Sequence, residues 1–185
     1  MGSHPTHWQK YCHRVSRSRM AENAAINKFA ARYKLAHSLQ SVTFEGFTEK
    51  TNAAYAAATR VGLAYSALEA LESALGLRKS EIVIPSALAT RLRSQEFRNL
   101  FELLEEELSN KKLKTQILEF RRRMNRNVRP VVEGIRHLMF HGQFTAYGSG
   151  ISSSKSRIKT LELLAEIVLN FADQEFSKWV EGDLQ

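Results

Sequence analysis

Apolar residues recur every three to four positions along most of the chain, which is the spacing of amphipathic α-helices. The clearest stretch runs from about residue 49 to residue 75, and Gly76 follows it at the position of a helix cap. Further helices are predicted over residues 20–39, 86–109, 111–124, 130–141 and 155–180. Residues 1–19 show no clear period, whereas residues 41–47 (a short extended link or a lone strand) and 81–85 are predicted links. The pattern therefore predicts an all-α fold, a bundle of four or five principal helices.

The length of 185 residues suits one domain with a real core. Residues 41–185 are predicted to form the helical bundle, with residues 1–40 as a basic N-terminal arm and first helix, either part of the same domain or loosely attached. The chain has no apolar run of the roughly 18–20 residues that a membrane span needs, and no secretory signal. Cys12 is the only cysteine, which excludes an internal disulfide and fits a reducing compartment. A cytoplasmic protein without a membrane partner is expected.

Net charge is +8 and the isoelectric point is about 9.8, which favours an anionic partner, most commonly nucleic acid. The positive charge is concentrated in two blocks. The first block consists of Lys10, Arg14, Arg17, Arg19, Lys28, Arg32 and Lys34. The second consists of Lys111, Lys112, Lys114, Arg121, Arg122, Arg123, Arg126, Arg129 and Arg136. The alternative is that these residues only solvate helix faces.

The segment from Ile135 to Gly142 carries the candidate chemistry, because it holds Arg136, His137 and His141. An arginine keeps its positive charge, whereas a histidine exchanges a proton near neutral pH, and this combination suits phosphodiester chemistry. Five helical positions leave Arg136 and His141 about 140° apart on an ideal helix, so the pair needs a helix end or a dimer axis to act together. Two other interpretations stay open: zinc binding by the i, i+4 histidines, and a purely structural helix end.

The residues Arg136-His137-Leu138-Met139-Phe140-His141 resemble the R-x4-6-H motif of the HEPN superfamily of helical ribonucleases and nucleotide-binding domains. His137 supplies the polar residue that often follows the arginine, and Gly142 follows the histidine. Upstream, residues 64–71 (Ala-Tyr-Ser-Ala-Leu-Glu-Ala-Leu) resemble the helix that precedes the motif in many family members. The resemblance spans roughly residues 48–179.

This resemblance implies a metal-independent endoribonuclease without a cofactor, acting as a homodimer whose motif helices line a shared cleft. His141 would handle a proton of the ribose 2′-hydroxyl or of the leaving oxygen, and Arg136 would bind the scissile phosphate. His137 would orient these groups or carry a second proton, and Glu69 would pair with Arg136 or orient His141. A basic surface would guide RNA toward the motif, formed by Arg121, Arg122, Arg123, Arg126 and Arg129.

Family members of this kind often serve as toxins or in defence, so an antitoxin or regulatory protein is a possible further partner. The alternative function is a non-catalytic helical module of the same fold that binds RNA, a nucleotide or a protein partner.

Overall fold

The computed structural model describes residues 4–14, 20–94, 97–141 and 155–182. Its regular elements are all helices, which confirms the all-α class. In chain order they are α1 (Trp8–Arg14), α2 (Met20–Ser38), α3 (Glu49–Ala74), α4 (Ser86–Leu92), α5 (Arg98–Glu107), α6 (Lys111–Arg121), α7 (Arg129–Phe140) and α8 (Lys155–Gly182). None of the helices in these ranges is long and apolar enough to cross a membrane.

Capping hydrogen bonds define both ends of helix α3. The hydroxyl of Thr48 accepts a hydrogen bond from the backbone N–H of Thr51 at 3.2 Å, which satisfies a donor of the first turn. At the other end Gly76 has a φ of +65°, the left-handed conformation that glycine adopts without steric cost. The N–H of Leu77 then donates to the carbonyl of Glu72 at 2.8 Å. The predicted glycine cap is thus confirmed as a Schellman-type end.

Helix α3 is the centre of the fold, because α2, α7 and α8 all pack against it. Its alanine-rich sequence lets these helices approach closely, and side chains around its whole circumference are buried. A second group forms where α5 and α6 pack against α7. Helix α7 therefore lies between the central helix and this second group, and both of its long sides are fixed by neighbours.

Residues of the N-terminal forty contribute to the same core. Ile26, Phe29 and Tyr33 of α2 belong to the buried cluster that contains the α3 side chains. Tyr11 of α1 is also buried and lies against aromatic rings of α8. Thr6 adds two hydrogen bonds to the carboxylate of Asp173, at 2.6 and 2.5 Å. Helix α1 has only seven residues, too few to show a hydrophobic period in the sequence.

One predicted helix is divided. The stretch predicted as 86–109 forms α4 and α5, separated by a turn. Arg93 ends α4 and extends its side chain away from the helix, where Nε donates to the carbonyl of Phe120 at 2.6 Å. Phe97 follows the turn and is buried in the core. The link at 81–85 also pairs briefly with the segment before α7, through a single antiparallel bridge between Val83 and Asn127.

Candidate functional site

Helix α7 positions the motif. Pro130 lies in its first turn, where the missing N–H costs no hydrogen bond. Gly134 faces the second helix group so closely that a Cβ there would lie 2.9 Å from a methyl carbon of Leu104. The helix ends at Phe140, and the N–H of His141 donates to the carbonyl of His137 at 3.1 Å. The motif therefore occupies the last turn and a half of a helix whose position is fixed by packing.

Arg136 lies against α3. Its Nη2 is 3.3 Å from a carboxylate oxygen of Glu69, and its side chain is 40% exposed. The guanidinium carbon is 5.4 Å from the centroid of the Tyr65 ring and 5.9 Å from that of Phe140, distances typical of cation–π contacts. Of the two contacts considered for Glu69, the structure has the one with Arg136. Because 40% of the Arg136 side chain is exposed, an anion can approach it from solvent.

His137 and His141 lie next to each other on the surface. Their ring centroids are 4.2 Å apart, and His141 is exposed. Within the described residues, no hydrogen bond or ring contact joins Arg136 to His141. The ring of Phe140, which is 70% exposed, lies between them in sequence. The chain thus carries a cation and a histidine pair at one end of α7, without assembling them into one cluster.

Arg129 is placed differently from what the sequence suggested. It is only 5% exposed and its guanidinium forms two hydrogen bonds with the carboxylate of Glu72, at 2.6 and 2.8 Å. A third hydrogen bond runs to the carbonyl of Ser80 at 2.7 Å, and a fourth to the hydroxyl of Tyr65 at 3.4 Å. Because these groups occupy the guanidinium inside the protein, Arg129 does not belong to a surface that binds RNA.

The pKa values in this network reflect burial and pairing. Burial by itself would raise the pKa of Glu72, but hydrogen bonds from Arg129 and Ser80 outweigh it and lower that pKa below its ordinary value. Burial likewise opposes the charge on Arg129, but the hydrogen bonds and charges of Glu72 and Tyr65 together outweigh it and raise the pKa of Arg129. The pKa of Tyr65 is raised, chiefly by burial. Both members of the pair therefore stay charged inside the protein.

The other four arginines of the predicted RNA-binding surface lie at the start of α7 or before it. Arg122, Arg123 and Arg126 are exposed. Arg121 is partly engaged, since its Nη1 is 2.5 Å from a carboxylate oxygen of Glu105. The twelve positions from Arg129 to His141 span about 18 Å along α7, and these arginines precede the helix, at the end opposite His141. The structure therefore separates these arginines from the motif residues along the length of one helix.

Tyr65 was not predicted as a site residue. The structure adds that Tyr65 lies between two arginines of α7, since the guanidinium of Arg129 is 5.2 Å from its ring and that of Arg136 is 5.4 Å away. Tyr65, Glu69 and Glu72 are spaced i, i+4 and i+7, which places them on one face of α3. That spacing is the sequence signal from which the shared face of these three residues could have been predicted. Among the described residues, no group of three or more histidine, cysteine or acidic side chains could hold a metal ion.

Comparisons of the chain with protein-family models, with curated proteins and with solved structures gave no match. The resemblance to the HEPN superfamily therefore rests on the motif residues themselves. What these residues can do chemically is judged from the geometry around Arg136.

Proposed function

We propose that the protein is a HEPN-type, metal-independent endoribonuclease that acts as a homodimer, in the manner of a toxin or defence effector. The observation that carries the proposal is the pairing of Arg136 with Glu69 and Tyr65, at the same helix end as the neighbouring rings of His137 and the exposed His141. A fixed cation that is oriented by α3, beside two groups that exchange protons at neutral pH, is what RNA cleavage through the 2′-hydroxyl requires.

In the proposed reaction, His141 accepts the proton of the ribose 2′-hydroxyl as that oxygen attacks the adjacent phosphorus. The bond from phosphorus to the 5′-oxygen breaks, and a second histidine, His137 or a histidine of the partner protomer, donates a proton to the departing oxygen. Arg136 stabilises the extra negative charge on the phosphate oxygens in the transition state. The products are a 2′,3′-cyclic phosphate and a 5′-hydroxyl, so the proton count is unchanged.

A dimer suits this chemistry because Arg136 and His141 of one chain are not in contact. Phe140, which directly precedes His141 and is 70% exposed, would provide an apolar contact for a second copy of α7. In such an arrangement each arginine works with the histidines of the symmetry mate. The exposed Arg122, Arg123 and Arg126, at the far end of α7, would bind the RNA backbone outside the cleft.

Cleavage of end-labelled single-stranded RNA in EDTA tests the activity. We expect the parent protein to leave 2′,3′-cyclic phosphate ends, and His141→Ala and Arg136→Ala to lose about 10²- to 10⁴-fold in rate. His13→Ala is the matched control, because His13 is an exposed histidine on α1 and should be dispensable. Absence of cleavage by the parent, with RNA binding retained, would favour the non-catalytic binding module instead.

Mixing the two inactive variants tests the shared cleft. A heterodimer of Arg136→Ala with His141→Ala retains one intact arginine and one intact histidine on opposite protomers. If the site is formed across the dimer, the mixture regains activity that neither variant has alone. If the mixture stays inactive while sedimentation shows subunit exchange, the arginine and histidine act within one chain and the shared cleft is wrong.

A further inference from the structure

A cavity of about 220 Å³ opens between α2 and α3, directly beside Glu69. Two cations of α2, Lys28 and Arg32, face a carboxylate and a hydroxyl of α3, Glu69 and Ser73. The remaining wall consists of small side chains, Ala25 and Ala70. The cavity is therefore a polar recess with positive groups on one side and with room for a ligand between the two helices.

The balance of charge in this recess is positive. Glu69 contributes the only negative charge among its lining residues, and that carboxylate is also 3.3 Å from Nη2 of Arg136. Counting Lys28 and Arg32 against Glu69 gives two positive charges and one negative charge, a net charge of +1 in the lining. A carboxylate ligand or a phosphate diester would be attracted, whereas a cation would be repelled.

The donors in the recess are available to a ligand. Lys28 is exposed and forms no hydrogen bond or ion pair with any residue that the structure describes. Arg32 uses its Nη1 to donate to the carbonyl of Ser66 at 3.2 Å, which anchors the guanidinium and leaves its other N–H groups for a further acceptor. An ammonium, an anchored guanidinium and the hydroxyl of Ser73 together match the oxygens of a phosphate.

The recess and the motif share one residue. Glu69 contacts Arg136 and also lines the recess, so the two anion-binding positions adjoin the same carboxylate. Two successive phosphates of one strand can occupy the two positions, each with its own cations.

We propose that this recess is a subsite for a backbone phosphate of the RNA strand, next to the phosphate held by Arg136. The inference rests on the proposed function, because it takes Arg136 as the position of the scissile phosphate. It assigns the basic block of α2 a direct role in binding substrate: Lys28 and Arg32 fix the strand on the α3 side of the motif. Binding there selects single-stranded RNA over a free nucleotide, which carries no phosphodiester on both sides of one ribose.

Binding of fluorescein-labelled RNA with 2′-O-methyl riboses tests the subsite, because the blocked hydroxyl prevents cleavage and leaves the phosphates unchanged. Fluorescence anisotropy is measured in EDTA over a series of salt concentrations. We expect Lys28→Gln to lower the slope of log affinity against log salt by about 0.7, and the affinity by about five-fold at roughly 0.1 M salt, the loss of one phosphate contact to a single strand. Arg32→Gln should act in the same direction.

Lys34→Gln is the matched control. Lys34 is an exposed lysine of the same helix, and six helical positions place it about 120° around α2 from Lys28. It should leave the slope unchanged. Circular dichroism checks that each variant is folded, and Lys28→Gln guards against a folding effect because Lys28 has no contact to lose within the described residues.

The outcomes separate the two proposals. If the parent binds and cleaves RNA while Lys28→Gln and Lys34→Gln bind alike, the subsite is wrong and the ribonuclease stands. If the parent neither binds nor cleaves RNA, both are wrong. A selective loss in Lys28→Gln and Arg32→Gln, with Lys34→Gln like the parent, supports the subsite.

Discussion

Two arginines of α7, seven positions apart, face the same side of α3 and have opposite environments. Arg129 is 5% exposed and forms a bidentate pair with Glu72. Arg136 is 40% exposed and meets Glu69 through one contact of 3.3 Å. Tyr65 lies between them, within 5.4 Å of both guanidinium groups. The same residue types on the same pair of helices thus form an internal ion pair at one end and an open one at the other.

The contrast in burial indicates which arginine is available for function. A buried guanidinium with four hydrogen bonds cannot reach a ligand, and removing its partner would leave a charge inside the protein. A half-exposed guanidinium with one partner can exchange that contact for a phosphate at little cost. Burial, rather than position in a basic block, therefore separates the structural arginine from the candidate catalytic one.

The largest expected effect comes from breaking the buried pair. Glu72→Ala leaves the charge of Arg129 without its carboxylate in a site that water does not reach. We expect the free energy of unfolding to fall by about 3–5 kcal/mol. Urea denaturation followed by circular dichroism measures it. Glu69→Ala is the matched control on the same helix face, and it should cost less than about 1 kcal/mol.

Replacing both members of the buried pair tests whether the unpaired charge is the cause of the lost stability. With Glu72→Leu and Arg129→Met together, no isolated charge is left and apolar packing takes the place of the ion pair. The double variant should therefore be more stable than either single variant. If the double variant is as unstable as Glu72→Ala, the hydrogen bonds of Arg129 to Ser80 and Tyr65, rather than an unpaired charge, account for the loss.

The helix positions were readable from the sequence because long amphipathic segments fix them locally. The cap at Gly76 and the extents of α2, α3, α7 and α8 follow from periodicity and a glycine stop. The division of the stretch 86–109 was not readable. Arg93, which follows α4, donates to the carbonyl of Phe120, a contact between segments far apart in the chain. The short α1 likewise depends on aromatic rings of α8.

The candidate site was readable in part. Arg136, His137 and His141 are adjacent in sequence, so their proximity on one helix end follows from the helix alone. Arg129 could not be separated from its basic neighbours, because its burial depends on how α7 packs against Glu72. The recess lined by Lys28 and Arg32 was also beyond the sequence, since it forms between two helices. Tertiary packing decides each of these cases.

Two glycines, Gly134 in the middle of α7 and Gly62 on α3 opposite Phe140, test how tightly α7 is packed. A Cβ at Gly134 would lie 2.9–3.1 Å from methyl carbons of Leu104, Ile117 and Leu108. Gly134→Ala should therefore destabilise the protein by about 1–3 kcal/mol, because three core side chains must move. Thermal unfolding measures the change.

Gly62→Ala provides the control at the open end. Its Cβ would meet only the edge of the Phe140 ring, at 3.3 Å, and that ring is 70% exposed and free to turn outward. The better helix propensity of alanine then offsets the contact, and the net change should stay within about 1 kcal/mol. Equal losses for the two variants would mean that Phe140 is packed as rigidly as the core.

Acid should weaken the buried pair of Glu72 and Arg129 and so lower the free energy of unfolding. The pKa of Glu72 is lower in the folded protein than its ordinary value of 4.5, so its contribution to stability is fully present above that value. The contribution is lost as pH falls through the folded pKa, because protonation breaks the pairing with Arg129. Unfolding free energies measured from about pH 6 to about pH 3 should fall more steeply for the parent than for the Glu72→Leu, Arg129→Met variant. If the two proteins lose stability in parallel as pH falls, the lowered pKa of Glu72 does not account for the acid sensitivity.

The smallest effect is expected for the open pair. A double-mutant cycle with Glu69→Gln and Arg136→Gln should give a coupling of about 0.2–1 kcal/mol in unfolding, since both side chains reach solvent and are screened by salt. The same cycle with Glu72→Gln and Arg129→Gln should give a coupling several-fold larger. High salt should reduce the first coupling and leave the second nearly unchanged. A large, salt-insensitive coupling between Glu69 and Arg136 would mean that Arg136 is as firmly held as Arg129, and would argue against its exchange onto a phosphate.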